Sequence, residues 1–125
     1  MRAAIMTGCP FCIDFGSAKL GDLGLTPKQV GEVARWRESN AFSADERLVL
    51  EYAEAMTANP VQVSDELFDR LRARFDEPAI VELTAGIAME NYRGRFNHAV
   101  GLGSDGFCER PTRGNGRPAT GQVVA

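Results

Sequence analysis

The stretch Cys9-Pro-Phe-Cys12-Ile-Asp-Phe-Gly-Ser17 places two cysteines on either side of a Pro-Phe pair. Proline is favoured at the first position of a helix, where its missing N–H costs no hydrogen bond, so Pro10 predicts a helix that begins directly after Cys9. Both sulfurs then lie in the first turn, close enough to form a disulfide, where the free N–H groups and the helix dipole favour the thiolate. The spacing therefore predicts a redox pair at a helix start; two inert cysteines filling core space are the alternative.

Further helix starts follow along the chain, and each carries a capping residue. Ser43 and Glu46 have the spacing of a capping box, in which each side chain satisfies a backbone donor. The other starts are marked by Thr26-Pro27, Ser64 and Asp76-Glu-Pro78. Before the cysteines, Ala3 to Met6 resemble the last turn of a helix that Gly8 ends. No stretch alternates polar and apolar β-branched residues as a strand does, so the sequence predicts an all-α helical bundle.

The last predicted helix runs from Asp76-Glu-Pro78 to about His98 and is apolar over more than half its circumference. Ile80, Leu83 and Ile87 form one stripe, which is widened by Val81, Ala85, Met89, Tyr92 and Phe96. A surface helix usually buries a narrower stripe. We expect this helix to be packed on several sides or to lie in a subunit interface, and hence we expect a homo-oligomer.

Length and charge limit the class of protein. The 125 residues suit one domain, predicted over residues 1–108, with a glycine- and proline-rich flexible tail at 109–125. A net charge of −3 argues against nucleic-acid binding. No apolar run approaches the roughly 20 residues that cross a membrane, and the first residues lack the features of a signal peptide. Three cysteines do not make a secreted disulfide scaffold, so we expect a cytoplasmic protein.

Other polar residues have simpler expected roles. A zinc site of Cys9, Cys12, Cys108 and His98 lacks a compact second ligand pair, so we expect no metal and no cofactor. His98 is expected to be a core or capping residue, with proton transfer as its alternative role. Asp14 is expected to be a solvated carboxylate in the first helical turn.

Four segments together resemble the carboxymuconolactone decarboxylase / alkylhydroperoxidase D-like family over about residues 1–108. They are Cys9-Pro-Phe-Cys12-Ile-Asp-Phe-Gly-Ser17, Leu-Gly-Leu-Thr26-Pro27, Phe-Ser43-Ala-Asp-Glu46-Arg and Glu-Asn-Tyr-Arg-Gly-Arg-Phe-Asn97-His98. The resemblance implies an all-α fold and assembly into trimers or hexamers. In the family's antioxidant branch it implies reduction of hydroperoxides by the CxxC pair.

The implied activity is that of a thiol-dependent hydroperoxide reductase. Cys12 would attack the peroxide, Cys9 would resolve the product, and an external dithiol would restore the pair. The antioxidant branch also has a histidine four residues after the second cysteine, where this chain has Gly16, and a glutamate about a dozen residues before the first cysteine. Only eight residues precede Cys9, so the N-terminus resembles a truncated one. The alternatives are a decarboxylase or other small-molecule enzyme of the same fold, and a non-catalytic oligomer that responds to oxidation.

Overall fold

The computed structural model describes residues 1–109, and within them it contains six α-helices and no β-strand. The helices are α1 (Arg2–Met6), α2 (Pro10–Asp22), α3 (Pro27–Glu32), α4 (Ala44–Thr57), α5 (Asp65–Arg72) and α6 (Glu77–Ala99). Short 3₁₀ turns follow α3 at Val33–Arg35 and close the described part at Phe107–Glu109. The expected all-α fold is confirmed. The flexible tail predicted for 109–125 lies, apart from residue 109, outside the described residues.

The helix starts lie where the capping residues predicted them. The Ser43 Oγ accepts the Glu46 N–H at 3.3 Å, and the Glu46 carboxylate accepts the Ser43 N–H at 2.7 Å, which is a reciprocal capping box. Ser64 and Asp76 cap α5 and α6 with their side chains. Each such cap satisfies donors that the first helical turn leaves free, at about 1 kcal/mol of stability.

The main core lies between α4, α5 and α6. Amphipathic spacing brings one stripe of each helix inward, and Leu71 on α5 is fully buried. The buried members of this core are Leu48, Tyr52, Ala53, Leu67, Leu71, Ile80 and Ile87. The N-terminal helices pack on this core: α1 contacts α4 and α6, and α2 contacts α6.

Helix α1 is a single turn that would not be stable alone, and tertiary contacts hold it. Ala3 and Ala4 are buried, and Arg2 forms an ion pair with Glu54 of α4 at 2.7 Å. At its end, Thr7 packs directly on the backbone of α6 at Gly94, where an added Cβ would lie 2.9 Å from the Thr7 Cβ. Gly8 then reverses the chain with φ +65°, a conformation that favours glycine, and leads into Cys9.

Glu54 joins α1 to the rest of the fold. Its carboxylate accepts the indole N–H of Trp36 at 2.9 Å and is paired with both Arg2 and Arg37. Burial alone would raise the pKa of Glu54, but the hydrogen bonds from Trp36, Arg37 and Arg2 outweigh it and hold the pKa below its ordinary value. The carboxylate therefore stays ionised and fixes the position of α1.

Helix α6 is buried on one side only. Ile80 and Ile87 face the core, whereas Val81, Met89, Tyr92 and Phe96 are each more than half exposed. We call these four residues the outward face of α6. The expectation that α6 is packed on several sides is therefore not met by the 109 described residues, and the subunit-interface alternative is the one left open.

None of the helices among residues 1–109 combines the length and the apolar character needed to span a membrane.

Candidate active site

Cys9 and Cys12 lie at the start of α2, as the sequence predicted, and their sulfurs form a disulfide. Cys9 is the N-cap residue, with extended backbone, and its Sγ accepts the N–H of Cys12 at 3.1 Å. Their Cα atoms are 5.3 Å apart, within the usual range for a disulfide. Pro10 between them occupies the first helical turn, where no hydrogen bond is lost.

The two sulfurs differ in access. Cys9 is completely buried beside Ala4, whereas Cys12 is 9% exposed and lines a cavity of about 360 Å³. The other residues that line this cavity, which we call the Cys12 cavity, are Met1, Phe11, Phe15, Gly16, Glu90, Arg93 and Asn97. A small molecule in this cavity meets Cys12.

Helix α6 supplies the polar wall of the Cys12 cavity. Glu90, Arg93 and Asn97 are spaced by three and four residues, which puts them on one side of the helix. Glu90 and Arg93 form an ion pair at 3.0 Å, and the Asn97 side-chain amide donates a hydrogen bond to the Cys12 Sγ at 3.4 Å. Sequence reasoning did not assign these residues to the site, although three polar residues spaced by three and four on an otherwise apolar helix were a usable signal.

Gly16 lies where expected, one turn after Cys12 and in the wall of the same cavity. A Cβ built on Gly16 would lie 3.4 Å from the Cε of Met1, so the Met1 side chain occupies the space beside it.

His98 was expected to be a core or capping residue, and the structure does not place it in the core. Its side chain is exposed, and its Nδ1 lies 2.9 Å from the carbonyl oxygen of Gly8, in the turn before Cys9. His98 does not line the Cys12 cavity. The core interpretation is therefore wrong, because the end of α6 passes over the turn at Gly8 instead of the main core.

Asp14 is not the solvated carboxylate that the sequence suggested. It accepts the backbone N–H groups of Phe107 and Cys108, each at 2.9 Å, and the hydroxyl of Ser104 at 2.7 Å. The hydrogen bond from the Cys108 backbone, followed by that from Ser104, holds the pKa of Asp14 far below its ordinary value. Asp14 thereby fastens residues 104–109, which we call the strap, onto α2.

The strap supports the aromatic wall of the Cys12 cavity. The Phe107 ring lies edge-on to Phe11 and Phe15, with ring centroids 5.7 and 5.4 Å apart. Phe11 and Phe15 both line the cavity. Ordering of the strap thus fixes two side chains next to Cys12.

Cys108 is a free thiol on the strap, and its Sγ–H donates to the backbone carbonyl of Asp14 at 3.2 Å. Partial desolvation and the Asp14 carboxylate raise the pKa of Cys108, so it stays a thiol and is a weak nucleophile. The zinc set considered from the sequence does not assemble, since Cys9 and Cys12 bind each other while Cys108 and His98 contact different backbone carbonyls. Within residues 1–109, no group of three His, Cys, Asp or Glu side chains is placed to hold a metal ion.

Comparisons with known proteins agree with this all-α fold. The family model described as the carboxymuconolactone decarboxylase family matches residues 1–55, which include the cysteine pair. The uncharacterized protein YnjA of Escherichia coli (strain K12) is 43% identical over 112 residues, which are 90% of this chain and 62% of that protein. The uncharacterized protein YdfG of Bacillus subtilis (strain 168) is 33% identical over 102 residues, which are 81% of this chain and 69% of YdfG. No solved structure matches the chain.

The chain belongs to the carboxymuconolactone decarboxylase family. It spans less than two thirds of the length of YnjA. Its all-α fold and its CxxC pair at a helix start are the features that carry the function considered next.

Proposed function

We propose that this protein is a thiol-dependent hydroperoxide reductase in which Cys12 attacks the peroxide and Cys9 resolves the product. The observation that carries the proposal is the unequal access of two bonded sulfurs: Cys12 opens onto a cavity and Cys9 is buried directly behind it. A substrate in the cavity reaches one sulfur, and the other is already within bonding distance.

The reaction balances with one external reductant. The Cys12 thiolate attacks a peroxide oxygen, the O–O bond breaks, and the leaving alkoxide takes up a proton to become the alcohol, or water from hydrogen peroxide. Cys12 is then a sulfenic acid. The Cys9 thiol attacks that sulfur, releasing water and forming the disulfide. A small or protein dithiol returns two electrons and two protons and is itself oxidised to a disulfide. The reaction as proposed uses no metal or organic cofactor, and we assign it to the cytoplasm, where dithiol reductants keep thiols reduced.

Assembly of the protein belongs to the same proposal. The outward face of α6 leaves Val81, Met89, Tyr92 and Phe96 exposed side by side on one helix. Exposed apolar clusters of this kind are typical of contact surfaces between proteins. We infer that copies of the chain pack through this face, as trimers or hexamers.

Two measurements test the reductase. With dithiothreitol as the reductant, the protein should consume peroxide, Cys12→Ser should not, and Cys108→Ser should match the parent. Mass spectrometry of the reduced protein after one equivalent of peroxide should show the loss of two hydrogens and no gain of oxygen. Cys9→Ser should instead gain one oxygen at Cys12. A parent protein that takes up oxygen without forming the disulfide would contradict the resolving role of Cys9.

A second candidate is a small-molecule enzyme whose chemistry does not use the cysteines. A larger apolar cavity of about 500 Å³ favours it, since that cavity has no cysteine in its lining. The four charged side chains in that lining all have partners: Arg2 binds Glu54, Asp45 binds Arg74, Glu46 caps α4, and Glu90 binds Arg93. A cavity whose charged side chains are all engaged binds apolar molecules better than it performs acid–base chemistry, so we rank this function second. Turnover that survives in a Cys9→Ser/Cys12→Ser variant would reverse the ranking.

A further inference from the structure

We propose that Asn97 is a catalytic residue of this site: its side-chain amide stabilises the thiolate of Cys12, the attacking sulfur. The inference rests on the proposed function, which it deepens by naming the group that activates the nucleophile. It starts from one contact, the hydrogen bond of 3.4 Å from Asn97 Nδ2 to Cys12 Sγ.

This contact joins distant parts of the chain. Asn97 lies near the end of α6 and Cys12 in the first turn of α2, 85 residues apart in sequence. Asn97 is partly buried and Cys12 is buried, so water competes weakly for the amide. A hydrogen bond to a charged acceptor is stronger than one to a neutral acceptor, so the same amide binds a thiolate better than it binds a disulfide sulfur or a thiol.

The sulfurs of the two cysteines accept hydrogen bonds from different donors. The Cys9 Sγ accepts a backbone N–H, that of Cys12, which is a helix-capping contact. The Cys12 Sγ accepts a side-chain N–H from another helix, and it does so at the cavity. The Asn97 amide is therefore placed to stabilise charge at the sulfur that lines the cavity.

The other groups around Cys12 contribute less to stabilising its thiolate than the Asn97 amide does. The charged side chains lining the cavity are Glu90 and Arg93, which are paired with each other at 3.0 Å, so their fields at Cys12 partly cancel. Met1 also lines the cavity, and burial lowers the pKa of its α-amino group, which weakens its positive charge. Asp14, two residues further along α2, is engaged by the strap. Gly16 adds no side-chain donor. Among the residues that line the cavity, Asn97 is the one with a hydrogen bond to the sulfur.

The role of Asn97 is tested through the pKa of Cys12, which can be measured without peroxide turnover. In a Cys9→Ser/Cys108→Ser protein Cys12 is the only thiol, and serine keeps the N-cap of α2. The thiolate pKa is measured from absorbance at 240 nm and from the pH dependence of iodoacetamide alkylation. Removing a donor to the charged form raises a pKa, so Asn97→Leu should raise the Cys12 pKa by about one unit, a tenfold loss of thiolate at a given pH below it.

Asn97→Asp keeps the size of the side chain and puts a carboxylate beside the sulfur, so the Cys12 pKa should rise further than in Asn97→Leu. His98→Gln is the control: it changes the adjacent residue of the same helix, which contacts Gly8 and not Cys12, and should leave the pKa unchanged. In the protein with both site cysteines, Asn97→Leu should slow the reaction with peroxide in proportion to the lost thiolate.

Equal Cys12 pKa values in the parent, Asn97→Leu and Asn97→Asp proteins would overturn the proposal. A pKa that rises as expected in a protein that does not reduce peroxide would uphold the role of Asn97 and overturn the proposed reductase. The pKa measurement needs no turnover, so the two failures are distinguishable.

Discussion

Gly16 occupies the position from which a side chain on α2 would reach Cys12, one helical turn away. A histidine here could take the thiol proton or protonate the leaving oxygen, a contribution worth about a hundredfold in rate. Gly16→His should therefore raise the second-order rate constant with peroxide, measured by stopped flow. The Met1 side chain, whose Cε would lie 3.4 Å from the new Cβ, must move aside, which a flexible methionine can do.

The matched control at this position is Gly16→Ala. It should stabilise α2 by up to about 1 kcal/mol, because alanine is a better helix former than glycine, without raising the rate. Equal rates in all three proteins would mean that the proton reaches the site by another route.

At the scale of single residues, the sequence predicted the position of a residue where neighbouring residues in the chain determine it. Cys9, Pro10 and Cys12 follow from their spacing and from the preference of proline for a first turn, and the structure has them at the start of α2. Asn97 and Asp14 could not be assigned in this way, because their partners lie 85 to 94 residues away. Such contacts depend on how α6 and the strap pack on α2, which no local pattern encodes.

At the scale of elements, the crossing of α1 and α6 depends on Gly94. A Cβ there would lie 2.9 Å from the Thr7 Cβ, so Gly94→Ala forces the helices apart. Overpacking of this kind costs about 1–3 kcal/mol and exceeds the gain of about 1 kcal/mol in helix propensity. Gly94→Ala should lower the midpoint of urea unfolding.

Gly86, on the same helix, is the control for Gly94. Nothing lies within 4 Å of a Cβ at Gly86, so Gly86→Ala should raise the unfolding midpoint through helix propensity alone. A rise in both variants would show that α1 does not rest on Gly94.

A second prediction at the scale of elements concerns the hydrogen bonds that hold the strap on α2. In Asp14→Asn, an amide replaces a carboxylate that accepts three hydrogen bonds, so its NH₂ group must face donors or turn away. The backbone amides of Phe107 and Cys108 should then exchange with solvent faster, as measured by hydrogen-exchange NMR. Asp22→Asn, at the far end of α2 with an exposed ion pair to Lys19, should leave both amides unchanged.

The attachment of the strap to α2 should also weaken at low pH, when Asp14 becomes protonated. The pKa of Asp14 is lower in the folded protein than its unfolded value of about 3.9, so the contribution of the carboxylate is fully present above that value. It is lost only as the pH falls through the lower, folded pKa. The protection of the Phe107 and Cys108 amides, measured as exchange relative to the intrinsic rate at each pH, should therefore persist at pH 4, and its loss already at pH 5 would contradict the placement of Asp14.

The elements themselves were predicted from capping residues, and they start where Thr26, Ser43, Ser64 and Asp76 indicated. The strap was not predicted. Its sequence after Gly103 has no helical period, and its order comes from hydrogen bonds to Asp14 and from the Phe107 ring, which are properties of the folded surface.

At the scale of the whole molecule, the outward face of α6 predicts self-association. Sedimentation at micromolar concentration should give at least a dimer, and we expect a trimer or hexamer. Tyr92 and Phe96 stack on each other at 6.2 Å in this face, and Tyr92 is 66% exposed. Tyr92→Asp places a charge where apolar area is covered, so it should shift the protein toward the monomer.

Val61 offers a matched control for Tyr92. It is 65% exposed but lies in the loop between α4 and α5, so Val61→Asp should leave the sedimentation coefficient unchanged. A parent protein that sediments as a monomer would contradict the prediction.

Helix α6 presents two different surfaces on adjacent sides of the helix. Between residues 89 and 97, Met89, Tyr92 and Phe96 belong to the outward face, while Glu90, Arg93 and Asn97 line the Cys12 cavity. Gly94 lies under Thr7 in the same stretch. Few positions in this segment can therefore change without affecting one of these surfaces. In a library that varies every position of the chain, residues 89–97 should accept fewer replacements than the exposed loop residues 59–62, and the replacements they do accept should sort into two classes, one that changes assembly and one that changes reactivity.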